Sequence, residues 1–153
     1  VIVGPMMVSV RNDILALPVR SFANLMELYE NNYIFIRRLV PDLDRMPVDV
    51  VSCVPGAVDL RLIIQERTRY TTTLTLTHVF DDDVETSPDL DIRVYHDART
   101  AEVLPSSSIK SFGLWERQPQ PDPRSLAWRW EVNRFLFRWL RYCLGEGHRF
   151  VAV

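Results

Sequence analysis

The sequence predicts an α+β fold in which an antiparallel sheet of four to six strands is flanked by an N-terminal and a C-terminal helix. Three observations point there. Apolar residues recur at three- and four-residue steps near each end, the signature of amphipathic helices. The middle of the chain alternates apolar and polar with a period of two. The strand-like stretches follow one another through short turns, which favours an antiparallel sheet over βαβ units.

Each element has its own signal. Residues 1–20 read as a poorly patterned arm, and residues 21–153 as a single α+β domain. Ser21 is suited to cap a helix carrying Phe22, Leu25, Tyr29, Tyr33, Ile36 and Val40 on one face, and Pro41 ends it. Val48 to Val54 is rich in β-formers, Pro55-Gly56 is a turn, and Ala57 to Gln65 alternates, with Leu60, Leu62 and Ile64 sharing a face. Tyr70 to Phe80 alternates again, so the chain reverses near Arg67 to Arg69. Asp81 to Pro88 is an acidic loop, Leu90 to His96 a further strand, and Asp97-Ala98-Arg99 a turn into Thr100 to Leu104. A short strand is expected around Ile109 to Leu114. Gln118 to Pro123 forms an extended, proline-rich linker. Ser125 caps the second helix, which runs to about Leu144 with Gly145 in the left-handed position beyond it.

Composition narrows the function classes. The chain has 153 residues, 47% of them hydrophobic, and a net charge of −2. That length suffices for one core burying roughly 70% of the unfolded surface. The pI of about 5.9 lacks the basic balance of a nucleic-acid binder. No apolar run reaches the roughly 20 residues of a membrane span, and the mostly apolar run Val1 to Val10 lacks a basic n-region, so a cytoplasmic location is expected. Seventeen of the eighteen basic residues are arginine, and Lys110 is the lone lysine. The planar guanidinium suits bidentate recognition of carboxylate or phosphate, although a skewed base composition of the gene yields the same count. Cys53 and Cys143 have no metal-ligand or disulfide-framework spacing. The run Asp81, Asp82, Asp83 and Glu85 lacks the glycine and spacing of a calcium loop. No feature calls for a metal or a cofactor.

Four stretches carry a family resemblance: Asn32-Tyr33 through Arg38-Leu39-Val40-Pro41; Glu66-Arg67-Thr68-Arg69-Tyr70-Thr71-Thr72; Arg93-Val94-Tyr95-His96-Asp97-Ala98 with Ala101-Glu102-Val103; and Asn133-Arg134-Phe135-Leu136 with Trp139-Leu140 and Cys143-Leu144. In order and spacing they resemble the YqiB-like family of small uncharacterised bacterial proteins. The resemblance implies no activity. The family tends to carry an acidic–basic pair before the helix asparagine; here those positions are Trp128 and Arg129, so the acid is missing.

The most informative residues are polar ones on apolar faces. Asn32 lies among Leu25, Leu28, Tyr29 and Ile36, and Arg129 and Asn133 lie within or beside the apolar arc of the second helix. Glu66 continues the face of Leu60, Leu62 and Ile64; His96 continues that of Ile92 and Val94; His78 continues that of Leu74 and Leu76. If both helices cover one sheet face, these groups converge. They then form either a polar pocket, with Glu66 or His96 as general acid or base and Arg129 as anion clamp, or an internal network in which Glu66 meets Arg129 and Asn133 caps a strand end. Arg67, Arg69, Tyr70 and Thr71 to Thr73 form a second candidate, an anion site at a hairpin tip, with solvated turn arginines as the alternative. A His96–Asp97 triad with Ser106 to Ser108 is rejected, because adjacent strand residues face opposite ways. Trp130 and Phe137 widen the apolar arc of the second helix, so another segment, a protein partner or a second copy must cover them.

The first functional expectation is a non-catalytic, cytoplasmic binding or regulatory protein that recognises a protein partner or a small anionic ligand, with Arg69, Tyr70, Arg129, Asn133 and Asn32 as ligand contacts. The alternative is an enzyme acting on a phosphorylated or nucleotide-like small molecule, with Glu66 and His96 transferring protons. Neither membrane nor nucleic acid is expected as a partner.

Overall fold

A computed structural model of the chain describes residues 22–79, 89–108, 114–115 and 119–152. The expected arm, the Ser21 cap, the acidic loop at 81–88 and most of the short strand at 109–114 lie outside the described residues. The elements are α1 (Phe22–Leu39), a 3₁₀ turn (Leu43–Arg45), β1 (Asp49–Ser52), β2 (Asp59–Arg67), β3 (Thr71–Val79), β4 (Asp89–Tyr95), β5 (Thr100–Val103) and α2 (Leu126–Gly145). The five strands form one antiparallel meander in sequence order, with a helix on either side of it in the chain. This is the α+β arrangement the patterning predicts.

One sheet face carries Leu60, Leu62, Leu74, Leu76, Leu90, Ile92, Val94 and Val103, all buried against Ile36 and Leu39 of α1 and Val132, Leu136 and Leu140 of α2. The other face is polar. There Gln65 donates to the Thr75 hydroxyl, Thr75 donates to Asp91, and Ser106 donates to the same carboxylate. Ser106 is thereby spent on Asp91, well apart from any role with His96.

The ends of α2 are set by local chemistry. The Ser125 hydroxyl accepts from the backbone N–H of Trp128 at 3.2 Å, as an N-cap should. The C-terminal expectation is corrected. Gly145 is the last helical residue, Glu146 caps the helix, and Gly147 (φ +98°) makes the left-handed exit that only glycine adopts cheaply. That exit returns the chain to β1, where the His148 ring bonds both the Ser52 hydroxyl and the Val58 carbonyl at 2.9 Å.

Of the covers expected for Trp130 and Phe137, another segment of the same chain, α1, is the one present. Both are almost wholly buried, packed against Leu25, Leu28 and Tyr29 of α1. Phe35 meets Phe137 edge-on at 5.3 Å. The apolar arc of α2 is wide because it serves two neighbours, the sheet and α1.

Asn133 joins all three layers. Its Oδ1 accepts from the Val103 backbone N–H at 2.9 Å, and its Nδ2 donates to the Arg129 carbonyl at 2.8 Å. Asn32 Nδ2 donates to the Asn133 carbonyl at 3.3 Å. An edge-strand N–H is thus satisfied by a helix side chain inside the core. Replacing Asn133 by alanine orphans that donor at a cost of about 1–3 kcal/mol. Asn133→Ala should therefore lower the urea midpoint clearly, whereas Asn31→Ala, which removes only a bond to Glu27 of its own helix, should cost little. Equal costs for the two would contradict this role.

Candidate functional site

The polar residues expected to converge separate into distinct places, and a β-bulge is the reason. Ile64 pairs with Leu74, but Glu66, not Gln65, pairs with Thr73, and Arg67 pairs with Thr72. Gln65 is the extra residue, so the alternation of β2 flips beyond it. Glu66 is turned to the polar face, where it is exposed, instead of continuing the face of Leu60, Leu62 and Ile64. It meets neither Arg129 nor His96. The same flip turns Arg67 toward the helix-covered side. There its guanidinium donates to the carbonyls of Met46 and Leu43, the latter at 3.3 Å.

A concavity of about 310 Å³ opens at this end of the sheet, lined by Arg37, Asp44, Arg67, Thr68, Arg69, Thr72 and His96. Four parts of the chain supply it. Arg37 comes from the last turn of α1, Asp44 from the 3₁₀ turn, Arg67 to Thr72 from the β2–β3 hairpin, and His96 from the turn after β4. The His96 N–H donates to the Tyr70 carbonyl at 2.8 Å, which ties the two turns together. Its Nε2 lies 2.8 Å from the Thr72 hydroxyl, which is buried.

The arginines are braced on one side and open on the other. Arg37 Nη2 donates to the Pro41 carbonyl at 3.0 Å. Its Nε is buried without a hydrogen-bond partner. Arg69 lies over the Tyr70 ring, 5.2 Å from its centroid. Among the described residues no carboxylate stands within ion-pair distance of Arg37, Arg67 or Arg69; the ion pairs formed are Arg61–Asp49, Arg124–Asp122 and Arg134–Glu131. Three guanidiniums thus share a concavity with one exposed carboxylate, Asp44. Burial, and next the charge of Arg37, depress the basicity of His96 below the usual histidine range. His96 is therefore neutral near pH 7 and presents a polar ring without adding charge.

Of the residues expected at a site, Arg67, Arg69, Thr72 and His96 line this concavity, and Arg69 lies over the Tyr70 ring. Asn32 and Asn133 are spent on the helix–sheet junction. Arg129 lies near Tyr29, whose hydroxyl is made a weaker acid by burial and next by the charge of Glu102. Arg37 and Asp44 were missed. The signal for Arg37 was its place in the last helical turn, where a cation suits the helix dipole and can reach the free carbonyls. His78 does reach the core side, with Cys143 Sγ at 3.9 Å and the Trp139 ring edge-on at 5.2 Å, but it lines no part of the arginine cluster. Cys143 is buried and its thiol is pushed up to about 12 by burial, the inert state expected of it. No group of three metal-binding side chains occurs among the described residues. No helix among them is long and apolar enough to cross a membrane.

Comparison with known proteins agrees with the resemblance read from the quoted segments. The family model described as "Protein of unknown function (DUF1249)" matches residues 35–149. The chain is 36% identical over 134 residues to the uncharacterized protein YqiB of Escherichia coli strain K12, covering 87% of this chain and 95% of that protein. The same figures hold for YqiB of Escherichia coli O6:H1 and O157:H7. No solved structure matches the chain.

Two pH-dependent outcomes follow from the histidines. His78 is pushed down to about 4 by burial and next by His148. The unfolded chain takes up a proton near pH 6.5 that the folded chain refuses until about 4, so stability falls as pH drops through that window. Urea denaturation between pH 7 and 4 should show this loss, and a His78→Phe variant should lack that part of it; identical pH profiles would contradict it. In the concavity, Arg37→Ala should raise the pKa of His96 in a histidine-ring NMR titration. An unmoved His96 would mean that Arg37 does not face it.

Proposed function

The chain belongs to the DUF1249 family of proteins of unknown function, and we propose that it is a non-catalytic, cytoplasmic binding protein for a small phosphate-bearing anion, held in the concavity of Arg37, Arg67 and Arg69. One observation carries the reading: Arg37, Arg67 and Arg69 line the same concavity, and no carboxylate among the described residues is paired to any of them. Grouping three cations around the single carboxylate of Asp44 costs free energy, and a bound anion lowers that cost. The Met46, Leu43 and Pro41 carbonyls and the Tyr70 ring brace the arginines from behind, so little ordering remains to be done when the anion arrives. A phosphate, with several acceptor oxygens, can use several braced forks at once.

The enzymatic alternative rested on Glu66 and His96 acting together. The bulge at Gln65 separates them, which leaves His96 without its partner acid and favours binding over catalysis.

Isothermal titration with inorganic phosphate at low ionic strength tests this. Arg69→Ala removes charge-assisted hydrogen bonds worth about 1.5–3 kcal/mol, a loss of roughly 10- to 100-fold in affinity. Arg129→Ala, outside the concavity, should leave affinity unchanged. Absence of phosphate binding by the folded wild type, or an equal loss in Arg129→Ala, would overturn the proposal.

A further inference from the structure

Beside the first concavity lies a second, of about 530 Å³, lined by Arg37, Arg38, Pro41, Leu144, Gly147, His148 and Arg149. Among the described residues no carboxylate lines it, and neither Arg38 nor Arg149 makes an ion pair. Arg37 lines both concavities. Its position is held by the bond to the Pro41 carbonyl, and Pro41 itself lines the second concavity.

The elements around the second concavity are fixed by the core. Phe150, buried, donates its N–H to the Leu39 carbonyl at 2.8 Å, which ties the C-terminal tail to the end of α1. The ring of His148, bonded to Ser52 and Val58, holds the neighbouring Arg149 against the end of β1. Arg38 is exposed and lies over the Phe35 ring at 5.2 Å. The arrangement is therefore two basic hollows, one with Arg67 and Arg69, the other with Arg38 and Arg149, that share Arg37. A single anionic group fills one hollow and leaves the other uncompensated. Two adjoining anionic groups satisfy both, with Arg37 between them.

We infer that the ligand is of the diphosphate class, one phosphoryl group seated with Arg67 and Arg69 and its neighbour with Arg38 and Arg149, Arg37 serving both. This rests on the anion-binding reading and narrows it. It also distinguishes the two hollows chemically, because His96 and Thr72 line only the first and the backbone of Gly147 lines only the second.

The test is calorimetric titration of the full chain with inorganic phosphate and with pyrophosphate at matched ionic strength, on wild type, Arg149→Ala and Arg69→Ala. Pyrophosphate should bind wild type at least about tenfold tighter than phosphate, the increment of one further charge-assisted contact. Arg149→Ala, an exposed substitution, should abolish that preference while phosphate still binds in the hollow of Arg67 and Arg69. Arg69→Ala should weaken both ions. Retention of the full pyrophosphate preference in Arg149→Ala, or no preference in wild type, overturns the two-hollow inference while phosphate binding lost in Arg69→Ala still upholds the first site. Failure of either ion to bind folded wild type overturns both.

Discussion

One extra residue in β2 decides what the end of the sheet presents. Up to Ile64 the strand alternates in step with β3, and its apolar residues enter the core. At Gln65 the ladder takes on a residue with no opposite number, and two consecutive side chains face the polar side. Everything beyond is reversed relative to a regular strand. Glu66 turns outward and Arg67 turns toward the 3₁₀ turn, onto the face where Thr72 of the regularly alternating β3 meets His96. A carboxylate is removed from the concavity and a guanidinium is put in by the same geometric step. Without the bulge, the hairpin would offer Glu66 to the arginines and pair their charge within the protein.

The helices hold the other half of the concavity in place. Arg37 belongs to α1, and α1 is seated by two kinds of contact. Its apolar residues pack on Trp130 and Phe137 of α2, and Ile36 and Leu39 reach the sheet core. Asn133, bonded to Val103 and approached by Asn32, fixes the depth at which the two helices meet β5. The buried polar network and the open basic cluster are therefore separate devices. The first joins α1, α2 and β5 and specifies packing. The second is braced from behind and unsatisfied in front.

Much of this was legible in the residues. The period-two runs marked the strands, Ser125 marked its helix start, and Pro55-Gly56 and the stretch at Arg67 to Arg69 marked reversals that the meander makes. The family was legible in four short stretches. The hairpin arginine and His96 were recognised as candidates, and both line the concavity. The errors share a physical cause, which is that alternation is extrapolated as if strands were regular. Glu66 was assigned to the core face because Leu60, Leu62 and Ile64 precede it, and no residue in Ile64-Gln65-Glu66 announces a bulge. Gly145 is the first glycine after the apolar arc and so draws the left-handed exit in a sequence reading, yet it is still helical and the exit falls at Gly147. What covers Trp130 and Phe137 stays open in the sequence, because the direction from which α1 approaches is a tertiary fact with no local signature. Arg37 was passed over for the same reason, since a cation in a last helical turn is usually solvated.

The account turns on whether the arginine concavity, and not the helix junction, is where an anion binds. Titration of inorganic phosphate into ¹⁵N-labelled protein, followed through the backbone amides and the arginine Nε–H resonances, addresses that directly. The account predicts saturable shifts that centre on Arg37, Arg67, Arg69, Thr72 and His96. Shifts centred on Arg129 and Asn133, or a uniform drift with no saturation, would contradict it.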